Sequence, residues 1–101
     1  MEESIVKDCT VAEQHPCTRG HFPGQPVVPG AYLLARVEQL ILEDAPARRL
    51  VSLRKVKFLK PLVPGVRAQL SYSLDDDGKV RFSIIEGGDR IMEGSGLFEF
   101  V

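Results

Sequence analysis

The sequence predicts an α+β domain, one helix lying on one antiparallel sheet of about five strands. Two observations carry this. A single apolar stripe of helical period lies in the first half of the chain, at Leu33, Leu34, Val37, Leu40 and Ile41. After Arg49 the period changes to two, broken by turn signals at Pro61, Pro64-Gly65, Asp77-Gly78 and Gly87-Gly88-Asp89. A lone helix must bury its stripe, and one face of the sheet is the available cover.

Residues 4–12 read as a first strand. Residues 13–30 read as a loop, with prolines at 16, 23, 26 and 29 and glycines at 20, 24 and 30. Prolines at every third position hold such a segment extended. Residues 31–43 read as the helix, started after Pro29-Gly30 and stopped by Pro46. Strands are expected over 50–59, 66–74, 79–86 and 90–100. In 66–74, Val66, Ala68, Leu70, Tyr72 and Leu74 alternate with polar residues. Asp75-Asp76-Asp77 precedes a glycine turn and reads as a solvated hairpin tip rather than a metal cluster.

The length of 101 residues fits one domain, 1–101, and excludes a second independent core. A net charge of −1 gives no electrostatic footprint for nucleic acid. No apolar run reaches the ~20 residues of a membrane span, and no signal-peptide pattern opens the chain. Cys9 and Cys17 make neither a disulfide framework nor a four-ligand zinc set. These features predict a cytoplasmic protein without a metal. The charge is uneven, however. Residues 45–67 carry seven bases (Arg48, Arg49, Arg54, Lys55, Lys57, Lys60, Arg67) and no acid. That run is either a solvated strand face or a dock for an acidic partner.

The segment most suited to chemistry is Gly20-His21-Phe22-Pro23-Gly24-Gln25-Pro26-Val27-Val28-Pro29-Gly30. A stiff loop carries one imidazole straight into the start of the helix. Histidine serves as acid or base near neutral pH. The first amides of a helix lack partners within it and can bind a carbonyl oxygen or oxyanion. Together they suit proton abstraction beside a polarised thioester, although a structural histidine is the simpler reading of these residues alone. His15, before Pro16, reads as structural or exposed, or as an aid to His21 if the loop folds back. A nucleophilic Cys17 beside His21 lacks any group to orient the pair.

The His-Phe-Pro-Gly-x-Pro-Val-x-Pro-Gly segment resembles the signature of the β-hydroxyacyl-acyl-carrier-protein dehydratases. Lys57-Phe58-Leu59-Lys60-Pro61-Leu62-Val63-Pro64-Gly65 is similar to that family's second block, and Gln39 falls where the family carries glutamine. The His15-Pro16 lead-in and short chain are similar to the small dehydratase-like proteins of aryl-polyene pigment clusters. The resemblance implies a hot-dog fold, a long helix wrapped by an antiparallel sheet, in a homodimer or a heterodimer with another hot-dog subunit. It implies dehydration of a 3-hydroxyacyl thioester to a trans-2-enoyl thioester in fatty acid or polyene/polyketide synthesis. The substrate rides on the phosphopantetheine of an acyl carrier protein, with no bound cofactor. His21 would be the base, and the Gly30 and Ala31 amides would hold the carbonyl. Phe22 and Phe58, with Tyr32, would be core residues or line an acyl tunnel.

One position departs from the pattern. The family's carboxylate stands five residues after the Pro-Gly, and here that residue is Ala35. Glu38 lies about 60° around the helix and ~4.5 Å along from Ala35, and helical side chains lean toward the N-terminus. Glu38 is therefore the candidate replacement acid, the alternative being a solvated or salt-bridged helix-edge residue. Two other readings stay open: a catalytically incomplete subunit that pairs with a carboxylate-bearing partner, and an acyl thioesterase. Arg48, Arg49, Arg54, Lys55, Lys57 and Lys60 would supply the outward residues of the carrier-protein dock, since they cannot all face one way on a regular strand.

Overall fold

The computed structural model describes residues 4–13, 15 and 27–101. Its elements follow the predicted order: β1 (Ile5–Asp8), α1 (Gly30–Asp44), β2 (Arg48–Phe58), β3 (Gln69–Leu74), β4 (Lys79–Glu86) and β5 (Asp89–Phe100). The five strands form one sheet in the order β1-β3-β4-β5-β2, and every neighbouring pair is antiparallel. One helix against one such sheet is the hot-dog arrangement, as expected.

Cross-strand partners share a face of a sheet, so the register identifies the inner side. Leu70, Ile84 and Met92 lie in one row, and Tyr72 and Phe82 in the next. All five are buried. The helix contributes Leu33, Val37, Leu40 and Ile41 to the same core. Leu34, expected in that stripe, is only half-buried at its edge. Burying four such side chains contributes roughly 6–12 kcal/mol before conformational entropy is charged against it.

Two element boundaries moved for a visible reason. β1 ends at Asp8 rather than at 12, because Cys9 and Thr10 turn to bond the Ala68 backbone and Val11 to bond Gly65. β3 starts at Gln69 rather than at 66, because residues 61–68 carry those crossing bonds instead of a ladder. β2 is irregular in a way that alternation cannot reveal. Its register against β5 slips between Leu50 and Ser52 and again between Arg54 and Lys57. Each slip marks an extra residue on β2. Lys55, in the second, is the one non-glycine with positive φ among the described residues.

The C-terminal end of α1 is fastened from outside the helix. It has no basic residue in its own last turn. Lys7 of β1 instead donates to the Leu40 carbonyl at 2.9 Å and pairs with Glu43 at 2.7 Å and Asp44 at 3.4 Å. A cation there complements the helix dipole. The buried Tyr72 of β3 donates its hydroxyl to the Asp44 carboxylate. That bond, followed by the hydrogen bond and charge of Lys7, holds the Asp44 carboxyl below its ordinary 3.8, with partial burial opposing.

Two turn glycines make a controlled comparison. Gly87 and Gly78 both have positive φ. A Cβ on Gly87 would meet nothing within 4 Å, whereas one on Gly78 would lie 1.9 Å from the Phe98 carbonyl oxygen. Gly87→Ala should therefore cost about 1 kcal/mol of left-handed strain. Gly78→Ala should cost at least ~3 kcal/mol, because the Gly78–Phe98 backbone bond must break as well. Urea unfolding midpoints of the two variants check the difference.

Tyr72→Phe should lower stability at neutral pH by about 1 kcal/mol, a modest value because the Asp44 side chain is 43% exposed. A lowered folded-state pKa adds stability that is complete above the ordinary carboxylate value and is lost as pH falls through the folded value. The gap between wild type and Tyr72→Phe should close on going from pH 7 to below 3.8. A gap of constant size across that range would remove the Asp44 bond as its cause.

Candidate active site

The segment most suited to chemistry falls partly outside the described residues: Cys17, His21 and Phe22 all do. What is described is the frame on which the loop lands. Val28, its last buried residue, donates its backbone N–H to Leu62 at 2.8 Å. Leu62 sits in the Pro61–Gly65 block, and Gly65 donates to Val11 at 2.7 Å. The His15 ring lies 4.8 Å from the Tyr32 ring, with Nε2 3.3 Å from the hydroxyl. The lead-in, the end of the proline loop and the second sequence block thus converge on the first turn of α1.

Pro29 caps that turn with extended backbone, and among the described residues no side-chain cap bond is made and no acid lies in the first turn. The first intrahelical bond runs from Leu33 to the Pro29 carbonyl. The N–H groups of Gly30, Ala31 and Tyr32 therefore have no acceptor within the helix. They carry the positive end of its dipole, where a carbonyl oxygen gaining negative charge is stabilised.

Phe58 covers one side of this turn. A Cβ on Gly30 would lie 2.8 and 2.9 Å from two carbons of the Phe58 ring. Glycine permits that contact, and the ring remains 52% exposed. Phe58 and the Gly30 and Ala31 amides, separately picked from the sequence, are brought together here.

Ala35, where the expected carboxylate is missing, is exposed. Glu38 is half-buried on the neighbouring part of the helix surface, and Gln39 is exposed. Glu38 makes no hydrogen bond or ion pair with any described residue. Ala31, Ala35 and Gln39 thus line a flank of α1 beside its buried stripe that is exposed among the described residues, with small side chains at 31 and 35.

The basic residues scatter. Arg48 is occupied: it donates to the carbonyls of Phe98 at 3.0 Å and Asp76 at 3.2 Å, and stacks 4.0 Å from the Phe100 ring centre. Lys60 pairs with Asp89 at 3.1 Å. Arg49 lies opposite Glu99, and Arg54 opposite Ser95. Lys55 and Lys57 line a shallow basin of about 540 Å³ on the sheet. Arg81 and Arg90 line it too, and sequence reasoning missed them because they lie on other strands. Asp75 turns back to bond Lys79, as a hairpin tip should. Burial pushes the Cys9 thiol up to about 11, which leaves it inert. Among the described residues no group of histidines, cysteines and acids could hold a metal ion, and no helix is long and apolar enough to cross a membrane.

Comparison with known proteins adds three likenesses. A 3-hydroxyacyl-[acyl-carrier-protein] dehydratase, FabZ, of Chlamydia trachomatis is 29% identical over 112 residues, covering 97% of this chain and 73% of its own length. The dehydratase heterocomplex ApeI:P from Xenorhabdus doucetiae contains a chain that superposes with a TM-score of 0.85 at 24% identity, over 97% of this chain and 88% of that one. A variant of the fluoroacetyl-CoA-specific thioesterase FlK superposes with a TM-score of 0.76 at 19% identity, over 99% and 86%. The two structural likenesses establish the hot-dog fold. The ApeI-like family, described as ApeI dehydratase, matches residues 1–95, and with a match of that extent this chain belongs to the ApeI-like dehydratase family.

Proposed function

We propose that this chain is one subunit of a dehydratase that removes water from a 3-hydroxyacyl thioester carried on acyl carrier protein. The observation that carries the reading is the first turn of α1, uncapped among the described residues and overlain by Phe58, in a chain of the dehydratase family. The thioester carbonyl accepts hydrogen bonds from the Gly30 and Ala31 amides. His21, assigned by its motif, takes a proton from the carbon next to that carbonyl. The released electron pair forms the new double bond, the carbon–oxygen bond to the β-hydroxyl breaks, and a general acid protonates the departing hydroxyl to water. No metal or bound cofactor is required by these steps.

The acid is the open term. With alanine at 35, we assign it to a carboxylate of a second hot-dog subunit, so that the working unit is a dimer with unlike halves. Three features support a second chain here. The flank of α1 around Ala31 and Ala35 is exposed and small. β2 stands at the edge of the sheet. It exposes Val51 at 47% and Leu53 at 39%, apolar surface that a monomer leaves wet. The Xenorhabdus relative is itself described as a heterocomplex. Glu38 is the competing acid, in which case the partner can be a second copy of this chain. The thioesterase likeness favours a third outcome, hydrolysis of the thioester.

The assay is product analysis with a 3-hydroxyacyl carrier-protein substrate. The chain alone should yield little enoyl product. Adding a hot-dog partner that carries the carboxylate should raise the rate by roughly 10²–10⁴, the usual worth of a positioned acid. His21→Ala should abolish product in the mixture, and Glu38→Gln should not change it. Enoyl product from the chain alone, lost in Glu38→Gln, would place the acid at Glu38. Release of free acid and thiol would make the protein a thioesterase.

A further inference from the structure

We propose that the sheet face turned away from α1 carries the docking surface for the acidic carrier protein, built across β2, β4 and β5 rather than along the basic run of the sequence. The proposal rests on the dehydratase reading above and identifies where its macromolecular substrate sits.

The register sets the surface. One outward row runs Ser71, Ser83, Glu93, Lys57; the next runs Ser73, Arg81, Ser95, Arg54. Serines take two of the four places in each row and leave low polar floor between the charged side chains, the basin of about 540 Å³. Lys55, Lys57, Arg81 and Arg90 stand around it, all exposed. Among the described residues Glu93 is the one carboxylate lining it, and Arg90 holds it at 2.8 Å. Lys55, Lys57 and Arg81 make no ion pair among the described residues. Among the described residues the basin therefore presents positive charge in excess over an open, shallow surface. That shape fits the acidic face of another protein better than an enclosed small molecule.

The bulges of β2 make this possible. On a regular strand Arg54 and Lys57, three residues apart, face opposite ways. The extra residue between them turns both outward, opposite Ser95 and Glu93. Position relative to the site supplies the second argument. Lys57 lines the outer basin, while Phe58, the next residue, lies on the Gly30 turn at the inner side. The basin and the helix start are thus about one layer apart, on the order of 10 Å, at the end of an edge strand. A carrier seated on the basin can pass its flexible arm around that end to the Gly30 and Ala31 amides.

The test measures binding of a 3-hydroxyacyl-loaded acyl carrier protein to the full chain, together with its partner subunit where one is needed. Arg81→Glu and Lys57→Glu should each weaken binding about tenfold and flatten its dependence on salt. Arg67→Glu, exposed but remote from the basin, should change it less than twofold. Unaltered binding by the first two variants, or equal weakening by all three, would overturn the dock. So would displacement of the carrier by inorganic phosphate at constant ionic strength, which would mark a small-anion site. Binding is read without turnover. Arg81-sensitive binding with no enoyl product would leave the dock and remove the dehydratase reading, and enoyl product with Arg81-insensitive binding would do the reverse.

Discussion

Everything in this fold depends on how α1 is fixed to the sheet. Its stripe of Leu33, Val37, Leu40 and Ile41 supplies the burial, but a greasy stripe alone permits sliding and rocking. Among the described residues the polar fastening to the strands is at the C-terminal end, while the first turn meets only the His15 lead-in, through Tyr32. Lys7 reaches from β1 to the Leu40 carbonyl, and Tyr72 reaches from β3 to Asp44. The other end, at Pro29 and Gly30, has no side-chain cap. A helix anchored by its C-terminus and its stripe can leave its first amides free without losing position. The missing cap costs on the order of 1 kcal/mol, and the fastening at the far end offsets it. In the proposed reaction the Gly30 and Ala31 amides are the useful feature, because a donor already satisfied by a capping side chain has little left for a substrate carbonyl.

β2 links that helix start to the outside. It is an edge strand and carries two of the sheet's three register shifts, the third lying between β4 and β5, with Lys55 in the left-handed region at its second. Bulges at an edge increase twist and interrupt the flat run of unpaired groups that would recruit strands indiscriminately. They also place side chains that alternation would separate. Phe58 falls opposite the buried Met92, on the helix side, while Lys57 falls opposite Glu93 on the other. One short segment therefore serves the helix start with an aromatic ring and the outer surface with a cation.

Much of this was legible in the residues. The period of 3.6 at 33–41 and the period of two in 79–86 gave the helix and β4, whose bounds needed no change. The helix extended by one residue at each end, within ordinary fraying. The frame around Gly30 was legible through its motif, since Pro29-Gly30 and Phe58 come from two separate blocks that meet in space. What could not be read is what depends on register. Nothing in Arg54-Lys55-Val56-Lys57 announces a bulge, because lysine is no signal for positive φ. Without the bulge, the outward set cannot be derived. Arg81 and Arg90 were invisible for the same reason: a basic surface assembled across strands leaves no run in the sequence. The early end of β1 escaped because Cys9, Thr10 and Val11 keep an alternating, strand-like pattern while their backbone serves Ala68 and Gly65.

The alanine at 35 has a physical consequence beyond the lost acid. Helix flanks built from small residues let a second element come close, and Ala31 and Ala35 lie one helical turn apart on the exposed side of α1. A glutamate at 35 would place a charge on that flank, and its burial against a second subunit would cost several kcal/mol unless it were paired. Alanine removes that cost on this chain and leaves the partner's carboxylate without a like-charged neighbour from position 35. Two carboxylates facing each other at close range would raise one another's pKa, and the ionised form of one would be lost. Under the proposed division of labour, one chain brings the base and the other the acid. Activity then follows the concentration of the assembled pair rather than that of either chain. On that proposal, the alanine that looks like a loss in one sequence makes the pairing of unlike subunits obligatory for turnover.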